Sequence, residues 1–288
     1  MRILVLRGGA LGDFLVTLPA LAGLRRHWPD ARLELVGNAT AAALAVDRGL
    51  LDAAHSQHEA RWAALHADAP LPAALADWLD GFDLVLNFWP DPDGQLARRF
   101  PLRPGQVYLT ASSTPSTQPA AAHFCAPLIA LGASTGDFLC ALREPASVRP
   151  TRVALHPGSG SPRKNWPEDR WRALARWLVD ERGLEVIVIT GEAESMRPLA
   201  AVGRALHGRP LAEVADVLAT CRLFIGHDSG ISHLAAASGT PCVLLFGPTD
   251  PAIWAPPAPT VRVLQRGADL SAISVDDVCR EVRAALVE

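Results

Sequence analysis

Four short stretches hold residues able to do chemistry. RGGALGD (residues 7–13) ends in a carboxylate, Asp13, directly after Gly12. HPGSGSPRKNW (156–166) sets Gly158, Ser159, Gly160 and Ser161 ahead of Arg163 and Lys164. TGEAES (190–195) follows Gly191 with two acids, Glu192 and Glu194. GHDSGISHLAAASG (226–239) places Asp228, Ser229 and Gly230 at an expected helix start, with His233 close behind. Backbone amides in Gly/Ser turns and at helix N-termini face anions, and a lysine adds a point charge. The second and fourth stretches therefore suit a phosphate. An acid just after a strand, as in the third, can take both hydroxyls of a ribose.

Each stretch also has a plainer reading. Asp13 either caps a helix or presents a proton-accepting carboxylate. Its loop is no dinucleotide fingerprint, because Ala10 and Asp13 fill the places of required glycines. It is no Walker loop either, because no Gly-Lys-Ser/Thr follows. Glu192 and Glu194 read equally as exposed acids at a helix start. Asp228 is a cap or an organiser of its loop, and His233 is either a cleft residue or a structural one. His227 and His233 stand six apart and do not share one helical face, so His227, Asp228 and His233 are not read as a metal site. Trp166, followed by Pro167, reads as the anchor of its loop.

These loops need elements to hold them. ILVL (3–6), RLELVG (32–37), DLVLNF (83–88) and VYLT (107–110) read as strands, and Leu15 to Leu24 recur at helical spacing. Pro19 makes that helix begin near Thr17 or kink. ASSTPSTQPAAA (111–122) is a loop by composition, and REPASVRPT (143–151) resembles a linker. Alternation then restarts. VALHPG, EVIVIT, LFIG, CVLLFG and VRVLQ are strands. Helices are expected over 167–181, from Gly191 to about Leu206, over 211–220 and over 229–238, the last stopped by Gly239. Ser274 and Asp277 form a capping-box pattern before a final helix.

The expected architecture is α/β: two Rossmann-like domains with parallel sheets facing across a cleft. Their bounds are 1–148, 149–272, and a C-terminal helix, 273–288, packing back at the junction. Ligands of such sheets sit beyond the carboxyl ends of the strands, where all four stretches fall.

Bulk properties narrow the class. Of 288 residues 49% are hydrophobic and 20% charged, which is globular composition, and the net charge of −3 gives no basic field for nucleic acid. Five cysteines without a CxxC pair suggest buried thiols in a reducing, cytoplasmic setting. The N-terminus lacks a signal-peptide pattern, and no apolar run approaches the roughly 18 residues of a membrane span.

Together the motifs resemble glycosyltransferase family 9, the bacterial ADP-heptose:lipopolysaccharide heptosyltransferases. GALGDFLVTLPAL resembles the family's opening motif. HPGSGSPRKNWPEDRW resembles its phosphate loop, and FIGHDSGISHLAAASGTPCVLLFGPTDP its most specific motif. The resemblance implies a GT-B fold and an inverting, metal-independent transfer without a cofactor. The donor is a nucleotide sugar, ADP-heptose by default. The acceptor is a lipopolysaccharide-core or other glycan or glycolipid, compatible with peripheral contact at the cytoplasmic face of the inner membrane. Carried over, Asp13 is the catalytic base, and Lys164 holds the donor diphosphate. Gly12, Ser159, Gly191, Glu194 (Glu192 as fallback), Asp228, Ser229, Gly230 and His233 line the donor site. A GT-B epimerase and a non-catalytic nucleotide-sugar binder are the competing readings. Asn87 and Phe88 depart from the family pattern in the first half, where the acceptor docks.

Overall fold

The computed structural model of the chain describes residues 1–133, 142, 149–191 and 202–287. It divides into two compact units, Met1–Cys140 and Ala141–Glu288. The expected boundary at residue 148 lies outside the described residues.

Unit 1 runs β1 (Arg2–Arg7), α1 (Leu11–Leu15), α2 (Leu18–His27), β2 (Arg32–Gly37), α3 (Ala39–Val46) and β3 (Ala53–Ser56). It continues through α4 (Ala73–Asp80), β4 (Leu84–Asn87), β5 (Val107–Thr110) and α5 (Ala120–Ile129). Its strands pair in the order β3-β2-β1-β4-β5, all parallel. The central strands are buried along their length, as a sheet covered on both faces requires. The helix expected to begin near Thr17 or to kink begins there as α2, after the separate short α1. Thr17 stands at the N-cap position of α2 with its hydroxyl donating back to Asp13 O at 2.8 Å, and Pro19 sits in the first turn, where a missing N–H costs nothing.

Unit 2 runs β6 (Arg149–His156), α6 (Glu168–Arg176), β7 (Glu185–Thr190), β8 (Arg204–His207), α7 (Leu211–Ala219) and β9 (Cys221–His227). Then come α8 (Gly230–Ala237), β10 (Cys242–Phe246), α9 (Pro251–Trp254), β11 (Val261–Gln265) and α10 (Val275–Val287). The order is β11-β10-β9-β6-β7-β8, again all parallel. Read from β8, this is the Rossmann order, so the crevice at the switch point opens between β6 and β9. In unit 1 the equivalent point lies between β1 and β4.

Three expectations change. Residues 204–206, expected to end a helix, belong to the edge strand β8, and most of that expected helix (192–201) lies outside the described residues. The loop expected over 111–122 gives way to α5 at Ala120. β3 joins sheet 1 without an apolar run of its own. Other features match. Gly239, at φ +78°, ends α8 in a conformation that suits glycine. Ser274 and Asp277 exchange backbone-to-side-chain hydrogen bonds of 3.1 Å each at the start of α10. Val278, Val282 and Leu286 of α10 pack with Leu223, Ile225, Val243 and Leu245 of unit 2's sheet.

Cys125, Cys221, Cys242 and Cys279 are free and buried, and burial pushes the Cys125 and Cys221 thiols up to about 12. Among the described residues, no helix is long and apolar enough to cross a membrane.

Candidate active site

In unit 2, three loops meet beyond the carboxyl ends of β6, β9 and β10. The β6 loop carries Lys164 in a short 3₁₀ turn (Pro162–Lys164). Its ammonium donates to Asp228 Oδ2 at 2.7 Å, and the Thr249 hydroxyl, from the β10 loop, donates to the same oxygen at 2.7 Å. The Lys164 side chain is 30% exposed and that of Asp228 only 10%. Asp228 is therefore the organiser of the loops and not the helix cap. An ammonium has three donors, and one is spent on Asp228, so two remain for an incoming anion. Gln265 steadies the Thr249 turn by donating to Gly247 O at 2.9 Å and Thr249 O at 3.2 Å.

Ser229 is the N-cap of α8, and its hydroxyl accepts from the Ser232 N–H. The helix starts at Gly230, so its first amides have no intrahelical partner and its positive end faces the loops. The Ser232 hydroxyl donates to His227 O, fixing the turn between β9 and α8. His233 is buried one turn into α8.

His227 is the pillar under these loops. It is fully buried, and the Trp166 N–H donates to its Nε2 at 2.8 Å. The proton must then sit on Nδ1, which faces Gly158 O at 3.3 Å. Burial drives its pKa down to about 3, with His156 adding to the effect and Gly158 O and Asp228 opposing it. A neutral ring with both nitrogens engaged in tying the β6 loop to β9 has none left for a metal. Trp166 anchors the same loop from the other side: its indole N–H donates to Ile273 O at 2.9 Å. Ser159 turns its hydroxyl inward, to Ser161 O and Asn165 Oδ1. Its contribution to an anion site is the shape of the loop. Gly191 lies at the end of β7, and Glu192 and Glu194 lie outside the described residues.

In unit 1, Asp13 is the third residue of α1, after Gly12; Ala10 holds the N-cap position, and the Asp13 side chain caps its N–H from within the helix. Its Oδ2 accepts from the Ala10 N–H at 2.9 Å, and its Oδ1 accepts from Arg7 Nη2 at 2.9 Å. Arg7 ends β1. Its guanidinium also donates to Asp13 O (3.1 Å) and Ser113 O (3.0 Å) and lies 4.3 Å over the Phe124 ring. At 4% exposure, burial pulls the Arg7 pKa below its ordinary value, while Asp13 opposes that shift. Each Asp13 oxygen keeps a lone pair for a further hydrogen bond. Gly9, at φ +112°, passes so close that a Cβ there would lie 2.5 Å from Asp13 Oδ2.

The structure thus gathers Lys164, Asp228, Ser229 and Gly230 in unit 2, and Gly12 and Asp13 in unit 1. Sequence reading missed Arg7 and Thr249. The signals were an arginine closing an apolar strand and a threonine closing Phe-Gly-Pro-Thr. Among the described residues, no three His, Cys, Asp or Glu side chains are grouped to hold a metal ion.

A family model, glycosyltransferase family 9 (heptosyltransferase), matches residues 129–282, which is 154 of the 288 residues. The chain belongs to glycosyltransferase family 9. It is thus a glycosyltransferase, with a GT-B-like α/β fold. Lipopolysaccharide heptosyltransferase 1 of Escherichia coli (strain K12) is 26% identical over 294 residues, covering 88% of this chain and 90% of that protein. Its Pseudomonas aeruginosa namesake is 38% identical over 108 residues, 35% of this chain and 30% of that protein's length. Among solved structures, a glycosyl transferase of family 9 from Veillonella parvula DSM 2008 superposes with a TM-score of 0.79 at 20% identity. That alignment covers 99% of this chain and 97% of the other. E. coli heptosyltransferase WaaC with ADP gives 0.77 at 20% identity, over 99% and 100% of the two chains. At such identities the superpositions speak for the fold alone.

Proposed function

We propose that this family 9 enzyme transfers heptose from ADP-heptose to a lipopolysaccharide-core sugar by inverting, metal-independent displacement. The observation that carries this reading is the Lys164–Asp228–Thr249 cluster beside the N-terminus of α8, at the β6/β9 switch point. A cation aimed by a buried carboxylate, next to unpaired helix amides, is a seat for a diphosphate. The relatives named for heptose transfer, and the ADP held by WaaC, supply the identity of sugar and base.

The chemistry follows from the groups. The acceptor hydroxyl oxygen attacks the anomeric carbon as its proton passes to the Asp13 carboxylate. The bond from that carbon to the diphosphate oxygen breaks, and its electron pair leaves with the nucleotide. Negative charge grows on the departing phosphate, where Lys164 and the α8 amides stabilise it. No metal is needed where a lysine and a helix terminus meet that charge. Arg7 holds Asp13 by both its main-chain carbonyl oxygen and Oδ1, which fixes the direction of the carboxylate. On the family resemblance alone, Gly191 and Glu194 are assigned to the ribose and His233 to the sugar diphosphate. A glycolipid acceptor would bring the chain to the inner membrane surface.

The test is a thermal-shift titration with ADP and UDP in the presence of EDTA. ADP at about 100 times its Kd should stabilise the fold by about 2.7 kcal/mol. Equal shifts with UDP remove the base assignment, and a strict magnesium requirement removes the site model.

A further inference from the structure

The cavity beside the Gly8–Gly9 loop of unit 1 takes no part in the donor site. It has a volume of about 620 Å³, and Gln57, His58, Glu59, Trp62, His66 and Trp89 are its main walls. We propose that it binds an uncharged pyranose ring of the acceptor. This rests on the reading that Asp13 marks the reacting side of unit 1.

Position is the first argument. Gln57 grips the loop that carries the carboxylate: the Gly9 N–H donates to its Oε1 at 2.9 Å, and its Nε2 donates to Gly9 O at 3.2 Å. A Cβ on Gly8 would lie 3.1 Å from Gln57 Oε1 and 3.3 Å from Trp89 Nε1. A side chain at Gly8 would press on this wall, so the glycine keeps the backbone close to it. The next glycine faces Asp13, so cavity and carboxylate share a two-residue partition.

The lining chemistry is the second. Trp89 is 9% exposed, and the His66 ring stacks over it at 6.2 Å and 30°. Trp62 meets Trp89 edge-on at 6.5 Å. Flat aromatic faces bury the C–H face of a sugar ring, while a few polar groups fix its hydroxyls. The Trp89 indole N–H makes no bond to protein among the described residues, and His58 and His66 are exposed at the rim. Trp89 itself is fixed by Asn87, a buried residue whose Oδ1 accepts the Trp89 N–H at 2.9 Å. The Asn87-Phe88 departure from the family pattern thus sets the aromatic wall.

Charge decides the class of ligand. No lysine or arginine lines the cavity, and Glu59 is its one formal charge. The adjacent Arg61 is drawn off: it pairs with Glu59 Oε2 at 2.9 Å and lies 4.1 Å over the Trp62 ring. A phosphate or carboxylate here would meet no lysine or arginine of the lining and would face Glu59. Sugar hydroxyls carry no such cost.

Saturation-transfer difference NMR on the whole chain tests this with two probes, methyl α-D-glucopyranoside and the corresponding methyl glucosiduronate. The neutral glycoside should receive saturation and the uronate several-fold less. Ala63→Trp, which fills the cavity from an exposed lining position, should abolish the neutral signal. Glu59→Lys should bring the uronate signal up to that of the glycoside. Absence of a neutral signal, its survival in Ala63→Trp, or a preference for the uronate in the native chain overturns the proposal. ADP thermal shifts on the same samples report the donor site separately. A chain that binds the glycoside and not ADP loses the proposed donor, and one that binds ADP and no glycoside loses the sugar pocket.

Discussion

His227 lends itself to a quantitative test, because a buried neutral histidine makes the fold sensitive to acid. Its folded pKa of about 3 lies below the ordinary 6.5, so the unfolded chain takes up the proton first as pH falls. Stability from this group is complete above pH 6.5, declines below it, and is gone below about pH 3. At about 1.36 kcal/mol per unit of separation, the loss is about 2 kcal/mol by pH 5 and about 5 kcal/mol in all. The mechanical cause is specific. Protonating Nε2 removes the acceptor of the Trp166 N–H and frees the β6 loop. His227→Gln is the perturbation: its amide oxygen can accept from Trp166, its NH₂ can reach Gly158 O, and it does not titrate. Unfolding in urea should be compared at pH 7.5 and pH 5 for both proteins. Carboxylates such as Glu34, held at about 2 by its hydrogen bonds to Arg32, His55 and Arg2 against the opposing effect of burial, are common to both and cancel. The native chain should lose about 2 kcal/mol more than the variant over this interval. Losses that agree within error would mean that His227 titrates normally, and the neutral pillar would have to be abandoned.

Three substitutions separate the other roles. Asp13→Asn should lower turnover by roughly 10²–10⁴-fold with ADP affinity intact, and near-normal turnover would leave Asp13 a helix residue only. Lys164→Ala should weaken ADP binding by roughly 10–150-fold, from about 1.5–3 kcal/mol for a charge-assisted contact, measured by calorimetry; unchanged affinity would move the diphosphate elsewhere. Gly9→Ala puts a methyl group against the Asp13 carboxylate and strains a positive φ, so turnover should fall at least about tenfold while ADP still binds. Full activity there would show that the carboxylate has no fixed place.

The central strands were legible because parallel strands buried on both faces must be nearly all apolar, as in ILVL and CVLLF. The edges were not. β3 is AAHS and β8 is RALH, each hydrogen-bonded on one side only and free to be polar. The loops at the strand ends were legible because Gly, Ser and Lys before a helix have few purposes beyond an anion. The partners of those residues were hidden. Arg7 meets Asp13 from six positions away, Thr249 meets Asp228 from twenty-one, and Trp166 meets His227 from sixty-one. Such pairs come together only when the sheet order brings β1 to α1 and sets β6, β9 and β10 side by side. The tautomer of His227 was equally hidden, since it depends on which backbone groups the fold delivers to each nitrogen.

The bonds described for the Lys164–Asp228–Thr249 cluster and for its His227 support all lie within unit 2. Evolution can therefore vary the cavity wall of unit 1 while Asp13 and the whole cluster stay as they are. Replacing Trp89, Glu59 or Asn87, the proposed acceptor wall, breaks no contact in the cluster and, on that proposal, should change which glycan is accepted. Substitutions in the two halves that share no partner should combine additively. A lineage could thus acquire a new acceptor in steps, with the nucleotide-sugar currency held constant throughout.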